Sequence, residues 1–211
     1  EKETNDSNKQ KASNLLCHLS IILPHLDYID KIKLLTISKS LQLATLSNFN
    51  YSEDFSSDYF SNDNKSKVKP LLKKVLKKGL LKKLFLQFQG ELEDKDIEML
   101  INNKDLRELS LNACHSLTEN SIEKIKDLKH LSKVEFYWMP QLSSLESFFT
   151  GVNSNYLKEI NLSGCTHLSE NSYEALLQNC NSENVRSLNL TRNTGLSDRV
   201  LVKIAQKFKS I

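Results

Sequence analysis

Leu106-Arg-Glu-Leu109-Ser-Leu111-Asn-Ala-Cys114 is the clearest copy of a pattern that four other stretches of the chain repeat. They are Leu81-Lys-Lys-Leu84-Phe-Leu86, Leu131-Ser-Lys-Val134-Glu-Phe136, Leu157-Lys-Glu-Ile160-Asn-Leu162 and Val185-Arg-Ser-Leu188-Asn-Leu190. The central apolar residue falls at 84, 109, 134, 160 and 188, so the pattern advances in steps of 25, 25, 26 and 28 residues. Apolar residues at alternate positions put one face of a short strand into a core. After each strand comes a turn and then a second signature: Leu117-Thr-Glu-Asn-Ser-Ile122, Leu168-Ser-Glu-Asn-Ser-Tyr173, Leu196-Ser-Asp-Arg-Val200 and, more loosely, Leu92-Glu-Asp-Lys-Asp-Ile97. A Ser or Thr followed by an acid and an apolar run is how a helix starts, the hydroxyl serving as N-cap and the acid complementing the helix dipole. The chain therefore reads as strand, turn and helix, over and over.

One such unit cannot bury its apolar face alone, but stacked units share a core. Ile122, Ile125 and Leu128 supply the helix stripe of one unit. Period and pattern together resemble the cysteine-containing subclass of leucine-rich repeats, whose strand ends in LxLxxC. Cys114 and Cys165 occupy that position, and Gln89, Met139 and Asn193 stand there in the other copies. The resemblance implies an α/β fold: a leucine-rich-repeat solenoid, or horseshoe, of about five repeats over 70–211. Its C-terminal end is expected to be open, because Phe208-Lys-Ser-Ile211 reads as the start of another strand.

In a horseshoe the residues between the inward leucines line the concave face, where a protein or peptide substrate is expected. That lining is Lys83, Phe85 and Gln87; Glu108, Ser110 and Asn112; Lys133, Glu135 and Tyr137; Glu159, Asn161 and Ser163; Ser187, Asn189 and Thr191. Phe85 and Tyr137 are its expected anchors, because binding energy gathers in a few large residues. Trp138, beside Tyr137, either joins them or packs under the turn. Cys114 and Cys165, despite His115 and His167 nearby, read as small buried hydrophobes that resist modification, since no His–Cys spacing suits zinc.

Ahead of the repeats, Leu15 to Leu46 reads as two or three short helices, with Pro24 interrupting the first and Asp30 capping the next. Ile22-Leu23-Pro-His-Leu26-Asp27-Tyr-Ile-Asp30-Lys-Ile-Lys-Leu34-Leu-Thr-Ile37-Ser38-Lys39 resembles an F-box: an apolar pair, Leu-Asp, a second Asp, then an apolar helix ending in Ser-Lys. An F-box followed by cysteine-type leucine-rich repeats is a family architecture. The resemblance implies a small all-helical module over 13–48 that docks on a Skp-family adaptor of a cullin-RING ubiquitin ligase. Leu19, Ile22, Leu23, Leu26, Ile32, Leu35 and Ile37 would form the adaptor-facing set, as amphipathic anchors in an apolar groove do. Read from the residues alone, the same helices equally serve to cap the end of the repeat array.

Residues 1–12 read as a disordered tail and 49–69 as an irregular linker rich in Ser, Asn and Asp. From Lys65 to Lys83 there are nine lysines and no acid. Leu71, Leu72, Val75 and Leu76 mark one helix face and Lys73, Lys74, Lys77 and Lys78 the other. Such a helix suits an anionic membrane or phosphates, or it is the first repeat's own helix with a solvated lysine face. A net charge of +3 is too mild to name either partner. Nucleic acid, which needs a continuous basic stripe, is not expected, nor is a membrane span. No paired carboxylates, nucleophile with base or glycine-rich phosphate loop falls in a suitable context, so the expectation is a protein that holds a partner, needs no cofactor and catalyses nothing. Four cysteines without paired spacing point to a reducing compartment, cytoplasmic or nuclear. A structural role in a ciliary or mitochondrial assembly is the alternative.

Overall fold

A computed structural model describes residues 81–87, 90, 92–209 and 211, together with 72, 73, 76, 77 and 79. The tail at 1–12, the F-box-like module at 13–48 with its adaptor-facing set, and the linker at 49–69 lie outside the described residues.

Strand β1 (Lys83–Gln87) is followed by helix α1 (Asp94–Ile97), which runs into a 3-10 turn at Glu98–Asn102. The order then repeats: β2 (Glu108–Asn112) and α2 (Glu119–Ile125), β3 (Lys133–Glu135) and α3 (Glu146–Gly151), β4 (Glu159–Asn161) and α4 (Glu170–Asn179), β5 (Ser187–Asn189) and α5 (Asp198–Lys207). The five strands form one parallel sheet in sequence order. Helices α1 to α4 lie in the crossovers that parallel pairs require. The fold is thus α/β, with every strand lying between its neighbours in the chain.

The register is the alignment read from the sequence. Leu84 pairs with Leu109, Leu109 with Val134, Val134 with Ile160 and Ile160 with Leu188. Equal spacing in the chain has become adjacency in the sheet. Leu81, Leu84, Leu86, Leu106, Leu109, Leu111, Leu131, Val134 and Phe136 are all buried, and the helices add Ile122, Ile125, Leu128, Phe148, Phe149 and Tyr173. Phe148 meets Phe136 edge-on at 5.4 Å and Phe149 at 5.2 Å, so one aromatic cluster fills the space beneath β3. Burying a leucine or phenylalanine side chain contributes about 1.5–3 kcal/mol. Leu72 and Leu76 of the lysine-rich stretch belong to the same core, and Lys73 bonds the buried carboxylate of Asp96 at 2.8 Å. Those positions therefore pack as helical residues against the near side of β1's unit.

The acid of each helix start does more than complement a dipole. Asp94 accepts the backbone N–H of Thr118 at 2.7 Å and its hydroxyl at 2.5 Å. Glu119 accepts the N–H and hydroxyl of Ser143, and Glu170 accepts the hydroxyl of Ser197. Every one of these bonds joins the acid of one unit to the hydroxyl residue that opens the next. Ser144 stands where the third acid would be, and there Ser169 donates its N–H to the Ser143 carbonyl instead. Thr118 and Ser197 also cap their own helices, whereas Ser169 occupies the N-cap position of α4 without accepting a capping bond.

Candidate functional site

The outward residues of the strands are where a partner was expected, and side-chain pairing has already claimed many of them. Lys83 meets Glu108 across the β1–β2 register at 2.6 Å. Lys133 lies 3.1 Å from Glu135 and 3.5 Å from Glu159. Burial pulls the Lys133 ammonium down, but the two carboxylates outweigh it and hold it above the usual lysine range. Charges that alternate from strand to strand thus neutralise one another and leave little field for a ligand. Ser110, flanked in register by the larger Phe85 and Glu135, is buried. Ser163 is buried too, its hydroxyl 2.5 Å from that of Thr191. Neither serine belongs to the accessible surface.

Asn161 and Asn189 serve their own strand ends. The Asn161 side-chain oxygen accepts the N–H of Ser163 at 3.0 Å, and that of Asn189 accepts the N–H and hydroxyl of Thr191 at 3.1 and 2.9 Å. Such Asx turns reverse the chain at the strand exit. Phe85 packs partly into the core. Gln87 lies in β1, Asn112 is half-buried at the end of β2, and Ser187 is exposed in β5.

Past the strand exit, four units place one residue in the left-handed region: Ala113 (φ 52°), Trp138 (φ 56°), Gly164 (φ 77°) and Arg192 (φ 61°). Each stands just before the cysteine position, so Cys114, Met139 and Cys165 turn inward and are buried. The thiol of Cys114 points at the Leu86 carbonyl of the preceding unit and that of Cys165 at the Phe136 carbonyl. Burial pushes the Cys165 thiol up to about 11, the Met139 N–H opposing it, and pushes Cys180 up to about 12. Both are protonated at neutral pH and poor nucleophiles.

The left-handed residues form a row of their own, joined by backbone bonds from Trp138 N–H to Ser163 O and from Gly164 N–H to Thr191 O, at 2.8 and 2.9 Å. Gly164 has no side chain, so the Trp138 ring extends over it towards Arg192, whose guanidinium lies 5.5 Å from the ring centroid. Tyr137 packs edge-on against Trp138 at 6.0 Å. Trp138 remains 43% exposed. It is not packed under the turn, one of the two positions expected for it. Arg192 was not foreseen; its signal is the shared register with Trp138, one residue ahead of the cysteine position. Tyr137, Trp138 and Arg192 together are the best candidate contact on this face, since aromatic and arginine side chains carry most interface energy.

On the helix side, α1 and α2 border a shallow cavity of about 640 Å³, bridged by the Lys124–Glu98 ion pair, with the Lys126–Glu123 pair along α2 at its rim. Glu98 and Glu123 are thus paired with lysines of the same lining, and Asp94 is taken up by Thr118. Among the described residues no cluster of His, Cys, Asp and Glu suits a metal ion, and no helix is long and apolar enough to cross a membrane. No protein-family model matches the chain, and no curated protein sequence matches it.

Proposed function

We propose that the chain is a leucine-rich-repeat solenoid acting as the substrate receptor of a Skp-cullin-F-box ubiquitin ligase. The observation that carries this reading is the register, in which the central apolar residue of each LxxLxL stretch sits beside its counterpart, and Cys114 and Cys165 point back at carbonyls of the preceding unit. The F-box-like sequence at 13–48 supplies the ligase end, and Tyr137, Trp138 and Arg192 supply a substrate contact. Such a protein does no chemistry of its own; it raises the local concentration of a substrate near the ligase. The reading places it in the cytosol or nucleus.

Affinity capture of the full chain from cells tests the proposal. A Skp-family adaptor should co-purify, and Leu23→Asp, Leu26→Asp and Ile37→Asp together should abolish that association while substrate capture persists. Absence of any such adaptor from the wild-type capture overturns it. A second reading, a structural subunit of a large ciliary or mitochondrial assembly, is favoured by the half-buried Leu188, Leu190 and Leu196 at the β5 end. A stoichiometric, salt-resistant place in one particle would select it.

A further inference from the structure

The second residue of each LxxLxL stretch is Lys82, Arg107, Ser132, Lys158 or Arg186. Backbone bonds tie these five into a single line across the strand entrances: Arg107 N–H to Lys82 O at 2.8 Å, Ser132 to Arg107 at 2.7 Å, Lys158 to Ser132 at 2.8 Å and Arg186 to Lys158 at 2.8 Å. All four basic side chains are exposed. None makes an ion pair among the described residues, in contrast to Lys83 and Lys133 one position further on. Like charges on neighbouring strands repel, and here they recur on four of five strands with no acid recruited to relieve them. Lys209 holds the same place in Phe208-Lys-Ser-Ile211. At the one break in the row, His130 and Tyr156 stand two residues before Ser132 and Lys158. Their rings meet edge-on at 5.4 Å, and Tyr156 is 46% exposed.

We infer that this row is a docking surface for an extended acidic segment of a partner protein, one whose carboxylates flank an apolar or aromatic residue. The spacing fits. Parallel strands lie about 4.8 Å apart, so four steps from Lys82 to Arg186 span about 19 Å. An extended peptide of about six residues covers that length. Carboxylates at its ends meet Lys82 with Arg107 on one side and Lys158 with Arg186 on the other, and its central side chain lies against the His130–Tyr156 pair. Arginine adds a planar fork that takes a carboxylate in two hydrogen bonds. A nucleic acid fits less well, because Ser132 interrupts the stripe of charge that a continuous phosphate backbone needs. The surface is independent of the ligase reading, since it needs no adaptor.

The test is fluorescence anisotropy of the full chain with a labelled peptide of glutamates around a central phenylalanine, against its glutamine analogue and a single-stranded oligonucleotide of matched charge. The glutamate peptide should bind, and weaken as salt shortens the Debye length to about 8 Å. Arg107→Ser with Arg186→Ser, which copy the serine already present at 132, should weaken binding about five- to tenfold. Ser132→Lys, which closes the gap, should tighten it about threefold. Lys95→Ser with Lys203→Ser, an equal loss of charge on the helices, should leave it unchanged. Absent peptide binding, equal binding of the glutamine analogue, or equal weakening by the helix pair overturns the inference. Tighter binding of the oligonucleotide overturns the choice of partner.

Discussion

Gly164 illustrates how one residue shapes the exposed corner. Its φ of 77° carries a penalty for a residue with a Cβ, and a Cβ there would stand 3.3 Å from Trp138 Cα and 3.5 Å from Cε3. Ala113, Trp138 and Arg192 accept the same region at neighbouring units, so the backbone alone tolerates a side chain. The contact with Trp138 is what distinguishes position 164. Gly164→Ala should lower stability by about 1 kcal/mol in urea unfolding. It should also shift the emission of Trp138, the chain's single tryptophan, by lifting the ring from Arg192. Unchanged emission with unchanged stability would mean that Gly164 does not hold this corner. Asn103 is a residue of another kind. Fully buried, its amide donates to the carbonyls of Leu76 and Leu100 and accepts the N–H of Leu81, so it ties the stretch before β1 to the 3-10 turn.

Between elements, the recurrent acid sets the stacking. Glu119, in the first turn of α2, accepts the Ser143 N–H and hydroxyl and the Ser144 N–H of the next unit. Burial pushes its carboxyl up, but these donors outweigh that and hold it below the usual range. A carboxyl lowered in the folded state stabilises above its unfolded value of about 4.3, and that contribution fades as pH falls through the lowered one. Glu119→Gln should therefore cost about 1 kcal/mol at neutral pH, a figure that allows for solvent screening. The variant should also lose stability less steeply than the wild type as pH drops below about 4.3. Parallel stability curves for the two proteins through that acid range would sink this account. The pairing was half-legible in the sequence. Thr118-Glu and Ser169-Glu announce helix starts, but nothing local says that Glu119 reaches forward to Ser143, because that bond exists only once two units are stacked.

At the scale of the whole molecule the two edges of the sheet differ. Leu72 and Leu76 join the core beyond β1. Beyond β5, Leu188, Leu190 and Leu196 are only partly buried, whereas Leu109, Leu111 and Leu117, their counterparts two or more units away, are fully buried. Leu162 and Gly164 send their N–H groups to Asn189 and Thr191 of the next strand, but Leu190 and Arg192, in the same positions on β5, have no such acceptor among the described residues. The Asn193 side-chain amide, at the cysteine position, is enclosed without a hydrogen-bond partner among them. Protection should therefore fall towards this edge. Amide hydrogen exchange read by mass spectrometry should find β5 exchanging faster than β2, β3 and β4. Equal protection across all four would mean that something covers the β5 edge in solution.

The leucine periodicity by itself determined the strands, their order and their register, because a constant step between apolar triplets leaves one way to bury every strand against the next. Cys114 and Cys165 were likewise legible as core, since the pattern that places the leucines places them. Tertiary structure decided the fate of the outward residues, whose roles depend on a neighbour about 25 residues away in the chain and about 5 Å away in the sheet. There Lys83 and Lys133 turn to Glu108 and Glu159, leaving Lys82, Arg107, Lys158 and Arg186 without an ion pair among the described residues. Trp138 meets Arg192 across a glycine because parallel strands bring the corners of three units together.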